Sequence, residues 1–186
     1  MVNNKKEKIF FLCDFETTGV DYDTDVGIEL GGVFLFENFT PGEYFHSLIN
    51  PFGEDKKEWE GREKEAFAIH RIPFEHIVRF GKRPAEVIRE LEKKMQEVKQ
   101  FTRTGEVEFI VLSDNAVFEY TFLRKLYKQA GALDRFPFHY KAWDTNLLFF
   151  LFPEIESAEP AHRALPDALR VFEKLRKISV LKQNNR

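Results

Sequence analysis

The chain has 186 residues, a formal net charge of −3, 43% apolar residues and 21 Phe. That length and apolar content suit a single domain over 1–186, with a core from about 8 to 178 and a short C-terminal tail. The charge balance is not that of a basic protein coating nucleic acid without specificity, and it neither supports nor excludes a nucleic-acid substrate. A lone Cys13 excludes an internal disulfide, and no run approaches the ~20 apolar residues of a bilayer span. The expectation is a cytoplasmic protein without a membrane partner.

Three extended segments come first, at Lys8–Phe15, Val26–Phe36 and Glu43–Ile49, the last stopped by Asn50-Pro51. Their β-branched and aromatic content predicts an antiparallel meander. Phe52 to Gly81 is charged and irregular, with a short helix expected near Glu63–His70. Pro84 then opens a helix whose Val87, Leu91, Met95 and Val98 recur at helical spacing. Val107–Leu112 reads as a short strand, and Ala116–Ala130 as a second helix closed by Gly131. Tyr140–Asp144 is expected as a further strand, followed by an apolar helix at Asn146–Phe152. The last helix starts near Leu165 and carries Ala168, Leu169, Phe172, Leu175 and Ile178, with fraying expected from Lys182. Strands first, then alternating helices and strands, predict an α/β fold with one mixed sheet flanked by helices.

The chemistry-bearing residues lie at the ends of these elements. Asp14 and Glu16 stand two apart at the end of the first strand, so both project from one face. Two adjacent carboxylates on a covered face repel unless one is protonated, they reach solvent, or a cation lies between them. Oxygen donors of this kind favour Mg²⁺ or Mn²⁺. Pro166 belongs in a first helical turn, which leaves His162 in the preceding loop and Asp167 in the turn itself. Glu119 shares a helical stripe with Leu123, Leu126 and Ala130. A carboxylate on such a stripe points to the core or to a cleft edge, where it needs a metal or a donor. Each feature alone also fits a solvated strand end, a helix-terminal acid or a rim Glu, and those readings stay open.

Taken together, the segments resemble a known family. Asp14-Phe15-Glu16-Thr17-Thr18-Gly19 is similar to the first motif of the DnaQ-like (DEDDh) 3′–5′ exonucleases. Asp114-Asn115-Ala116-Val117-Phe118-Glu119-Tyr120-Thr121-Phe122-Leu123 resembles the second motif. His162-Arg163-Ala164-Leu165-Pro166-Asp167-Ala168 matches the third, His-x₄-Asp. Ile28-Glu29-Leu30-Gly31, Ala68-Ile69-His70-Arg71-Ile72 and Trp143-Asp144-Thr145 are weaker echoes, and the segments run in family order from about Ile9 to Ile178. The second motif departs from the family's usual His-Asn-Ala-x-Phe-Asp. Asp114 stands at the His position and Glu119 at the Asp position, one methylene longer.

The resemblance implies a ribonuclease H-like, five-stranded mixed sheet and a metal-dependent 3′–5′ exonuclease acting on single-stranded DNA or RNA. It implies two divalent ions, Mg²⁺ or Mn²⁺, held by Asp14, Glu16, Glu119 and Asp167, with His162 as general base. Thr17, Thr18, His70, Asn115 and Phe118 are the implied substrate contacts; for Phe118 and His70 a packing role is left open. Cys13 is expected as a small buried hydrophobe. Two other readings are carried: an exonuclease-like adaptor weakened by the Asp114 and Glu119 changes, and an exoribonuclease that trims RNA ends. Nucleic acid is the expected partner, and a homodimer or a polymerase partner is left undetermined.

Overall fold

The structure, a computed structural model, describes residues 6–53, 55, 59, 66–155 and 158–184, with the backbone alone from 179 onward. Five strands form one sheet: β1 (Glu7–Thr17), β2 (Gly27–Phe36), β3 (Pro41–Leu48), β4 (Val107–Ser113) and β5 (Trp143–Asp144). Their order is β3-β2-β1-β4-β5, with β1, β2 and β3 antiparallel and β4 and β5 parallel to β1. This is the mixed sheet that the element pattern predicts, with the five strands that the family resemblance implies.

Six helices are described: α1 (Ala66–His70), α2 (Phe74–Phe80), α3 (Pro84–Lys99), α4 (Ala116–Gln129), α5 (Asn146–Leu151) and α6 (Ala164–Asn184). The sheet is covered on both faces, so β1 and β2 are apolar almost without interruption rather than alternating. Ile9, Phe11, Cys13 and Phe15 face α3 and α4, meeting Val87, Leu91, Phe122 and Leu123. Phe10 and Leu12 face the other way, onto Val171, Phe172 and Leu175 of α6. A third cluster joins Ile28, Trp59, Ile72 and Ile77 under α2.

Two glycines matter to this packing. Gly31 of β2 lies so close to α6 that an added Cβ would sit 2.1 Å from the Leu165 amide nitrogen. Only a residue without a side chain lets the helix start there. Gly131, at φ +65°, ends α4 in the left-handed region, as expected for a helix C-terminus.

Several boundaries differ from expectation. The expected Tyr140–Asp144 strand shrinks to Trp143–Asp144, because pairing with β4 is confined to Leu112↔Trp143 and Ser113↔Asp144. α2 and a short 3₁₀ turn at Leu133–Arg135 were not anticipated. Both are too short to complete a periodic pattern. α1 covers the end of the helix expected at Glu63–His70, whose first residues lie outside those described. α6 continues to Asn184 instead of fraying from Lys182. α5, read as an apolar helix, buries none of its residues: Leu147 is 66% and Phe150 80% exposed. Among the described residues, no helix is long and apolar enough to cross a membrane.

Candidate metal and nuclease site

The site forms where the C-terminal end of β1 meets the N-terminal turns of α4 and α6. Asp14 and Glu16 occupy the β1 face that carries Phe10 and Leu12, the face covered by α6. Asp167, in the first turn of α6, comes to them there, and oxygen atoms of the three carboxylates lie within 4.8 Å of one another. Glu119 enters from α4, which packs on the opposite face of the sheet. It is 3% exposed, accepts a hydrogen bond from the Phe15 amide, and its Oε2 is buried without a hydrogen-bond partner. Its stripe with Leu123 and Leu126 is buried as the spacing predicts.

The electrostatics follow from this crowding. Burial, then the charges of Glu16, Asp167 and Asp114, push the Asp14 carboxyl well above its ordinary range, against the pull of Arg170. Burial, then Glu29 and Asp167, raise Glu16 to about 7. Burial, then Asp14 and Asp114, raise Glu119 in the same direction. Cys13, fully buried beside Glu119 and Asp14, has its thiol pushed up as well, mainly by burial. Such a group of proton-holding carboxylates relaxes when a cation joins it. An all-oxygen donor set with one orphaned, inward-facing carboxylate oxygen fits a hard divalent ion such as Mg²⁺ or Mn²⁺.

His162 sits on the exposed lip of the site, just before α6, in the left-handed backbone region at φ +54°. Asp167 fixes that conformation: the Ala161 amide donates to its Oδ1 at 2.9 Å and the Arg163 amide to its Oδ2 at 3.1 Å. One carboxylate therefore faces the carboxylate cluster and holds the peptide groups flanking His162.

Glu29 is the strongest feature that the motifs left unassigned. It is fully buried on β2, directly opposite Glu16 across the strand pair. Like charges in that position repel. Arg163 compensates, with Nη2 donating to Glu29 Oε1 at 2.6 Å and Nε to Oε2 at 3.0 Å. The Ala164 amide donates to Oε2 at 2.9 Å, and His46 Nε2 lies 2.8 Å from Oε1. Burial alone would raise Glu29, but these donors outweigh it and hold the carboxyl down at about 2. Glu29 thereby fixes the start of α6, and with it Asp167. A charged residue inside the apolar run Ile28-Glu29-Leu30 was the available signal.

The remaining expected residues have the following local surroundings. His70 is 4% exposed; its Nδ1 accepts from the Ile72 amide at 3.0 Å, and burial lowers its pKa to about 4. The ring is thus neutral with its proton on Nε2, which is buried without a partner. Thr17 Oγ1 donates to the Gly19 carbonyl at 2.6 Å. The Thr18 amide is engaged with the Val26 carbonyl at 2.9 Å, and its hydroxyl with Asp25 Oδ1 at 2.8 Å. Phe118 is half-buried, with its ring 4.6 Å from Phe122 and 5.9 Å from Tyr22. Asn115 is exposed at the N-cap of α4 and makes no side-chain cap. The α4 terminus is served by Asp144, whose Oδ2 accepts from the Ala116 amide and whose Oδ1 accepts from the Asn146 amide. Asp114 does not cap α4 either; its carboxylate meets Arg170 of α6 at 3.3 Å.

No family model matches the chain. A PolC-type DNA polymerase III of Thermotoga petrophila is 31% identical over 125 residues, which is 67% of this chain but only 8% of that protein. Among solved structures, E. coli Exonuclease I in complex with a dA16 oligonucleotide superposes with a TM-score of 0.58 at 15% identity, over 91% of this chain and 40% of that one. An Exonuclease I from Methylocaldum szegediense gives 0.57 at 19% identity, over 89% and 38%. Cell-death related nuclease 4 gives 0.57 at 16%, over 95% and 64%. The chain spans less than two-thirds of the length of each of these relatives. The chain shares its fold with these solved structures.

Proposed function

We propose that the protein is a 3′–5′ exonuclease that hydrolyses phosphodiester bonds at the 3′ end of a single strand. The observation that carries this reading is the convergence of Asp14, Glu16 and Asp167, with the orphaned Glu119 carboxylate beside them. The superposition on exonucleases crystallised with oligonucleotides supports it.

Asp14, Glu16 and Asp167 would hold one divalent ion, and Glu119 with Asp14 would serve a second. When bound, two such ions supply an activated water and offset the charge on the phosphate. The chain's own residues do the rest. His162 takes the proton from the attacking water; the peptide groups on either side of it are held by Asp167 through the Ala161 and Arg163 amides. Glu29 and Arg163 hold the loop and α6 so that the base and Asp167 keep their relation. Phe118, in contact with Tyr22 and Phe122, offers an aromatic face to the terminal base. The Thr17–Thr18 segment, ordered by its own hydroxyl bonds, borders the place of the terminal 3′-hydroxyl.

The test is a panel of 5′-labelled single-stranded and duplex DNA and RNA, each with a 3′-hydroxyl or a 3′-phosphate, in Mg²⁺, Mn²⁺ or chelator. The expected result is metal-dependent shortening from the 3′-hydroxyl end, stalled by the 3′-phosphate. Digestion from the 5′ end, cleavage of circular strands or undiminished activity in chelator would overturn it. An intact substrate under all conditions, with strand binding retained, would favour the adaptor reading instead.

A further inference from the structure

Two residues outside the catalytic assignment face each other across the site. Asp114 ends the β4 connection, and Arg170 lies one turn beyond Asp167 on α6. Arg170 Nη2 is 3.3 Å from Asp114 Oδ2, and its Nε is 3.3 Å from Asp167 Oδ1. The Arg170 side chain is 18% exposed, so this guanidinium is packed into the wall of the site. Its charge also reaches Asp14, where it opposes the effect of the neighbouring carboxylates. Asp14, Asp114 and Asp167 therefore share a resident cation that chelator cannot remove.

We infer that Arg170 is a positioning residue that holds Asp114 away from the metals and sets the affinity of the site for divalent ions. The inference rests on the metal-dependent reading above. Its physics is charge balance. A fixed guanidinium bound to one metal-facing carboxylate competes with an incoming divalent ion for the same negative charge. Asp114 draws part of that guanidinium charge away from Asp167. The two residues therefore act on metal binding with opposite signs. Loss of the Arg170 charge tightens it; loss of the Asp114 charge weakens it, both by removing a nearby anion and by releasing Arg170 toward Asp167. A purely structural tie predicts loss of affinity in both cases, because either change would loosen Asp167.

Mn²⁺ binding to the metal-free protein, followed by calorimetry and by the electron spin resonance of free Mn²⁺, separates these outcomes. Arg170→Met is expected to lower the Mn²⁺ dissociation constant by at least about tenfold, the order for removing one charge ~6 Å from a divalent ion at the dielectric of water. Asp114→Asn is expected to raise it, and Arg170→Lys to leave it close to the wild-type value. Thermal melts in chelator check that each variant is folded; if Arg170→Met is not, the Arg170→Lys constant decides, since a structural tie loses affinity there and a retained charge does not. Weaker binding in Arg170→Met, or an unchanged constant in Asp114→Asn, would overturn the inference while leaving the nuclease reading intact. Wild-type protein that binds no Mn²⁺ would overturn both.

Discussion

Glu29→Gln is the substitution whose consequences can be worked furthest. Gln keeps an oxygen for the Ala164 amide but removes the charge that pairs with Arg163 and lies beside His46. In the folded protein the Glu29 carboxyl is held at about 2 against an ordinary 4.5. At about 1.4 kcal/mol per pH unit, the ionised group contributes ~3 kcal/mol above pH 4.5. An opposing gain comes from Glu16. Its carboxyl is held at about 7 by burial first and by Glu29 second. Relieving that cross-strand repulsion returns on the order of 1 kcal/mol at pH 7.5. The net loss is ~2 kcal/mol, which lowers a urea midpoint by about 1 M. The sign with pH is fixed by a depressed carboxyl: the stabilisation is complete above 4.5 and is lost as pH falls through 2. Urea melts in chelator at pH 7.5 and near pH 2.5 test this, with the direct Glu29 contribution shrinking below about 1 kcal/mol at the lower pH. Equal midpoints at pH 7.5, or a gap undiminished in acid, would refute the reasoning.

Three further outcomes are expected. Glu119→Gln should lower activity by at least about tenfold while raising the melting temperature of the metal-free protein at neutral pH, since a buried carboxyl with a raised pKa costs stability once ionised; paired activity assays and melts decide, and Asp114→Asn should be milder in activity. Gly31→Ala should cost about 3 kcal/mol and reduce activity, because its methyl would displace the backbone at Leu165 and with it Asp167; a denaturant midpoint equal to that of the wild type would contradict the tight approach. His162→Asn should lower kcat by roughly 10²- to 10⁴-fold with unchanged Mn²⁺ affinity. Asn tolerates the left-handed backbone at that position, so a variant that fails to fold would argue against a purely chemical role.

The parts of the site that could be read from sequence were those governed by a short-range period. Asp14 and Glu16 share a face because strand side chains alternate, Asp167 falls in a first turn because Pro166 does, and Glu119 faces inward because Leu123 and Leu126 do. Residues whose meaning depends on a distant partner were not legible. Glu29 and Arg163 are 134 positions apart, and Asp114 and Arg170 are 56 apart; no periodicity links them. The same limit explains β5 and α5. Two residues suffice for a strand when β4 supplies the pairing. An apolar run such as Asn146–Leu151 states a helix without stating which surface lies over it.

The face assignment of β1 also limits how this gene can change in length. Phe11, Cys13 and Phe15 point to α3 and α4, whereas Phe10, Leu12, Asp14 and Glu16 point to α6. Inserting or deleting one codon in the middle of β1 would exchange the two sets beyond that point, driving both carboxylates into the Phe-rich layer and Cys13 and Phe15 toward Asp167. A change of two codons would preserve the faces but slide Asp14 by about 7 Å along the sheet, past its helix-borne partners. Length variation among descendants of this sequence should therefore concentrate in turns such as Thr102–Glu106, where no face has to be kept.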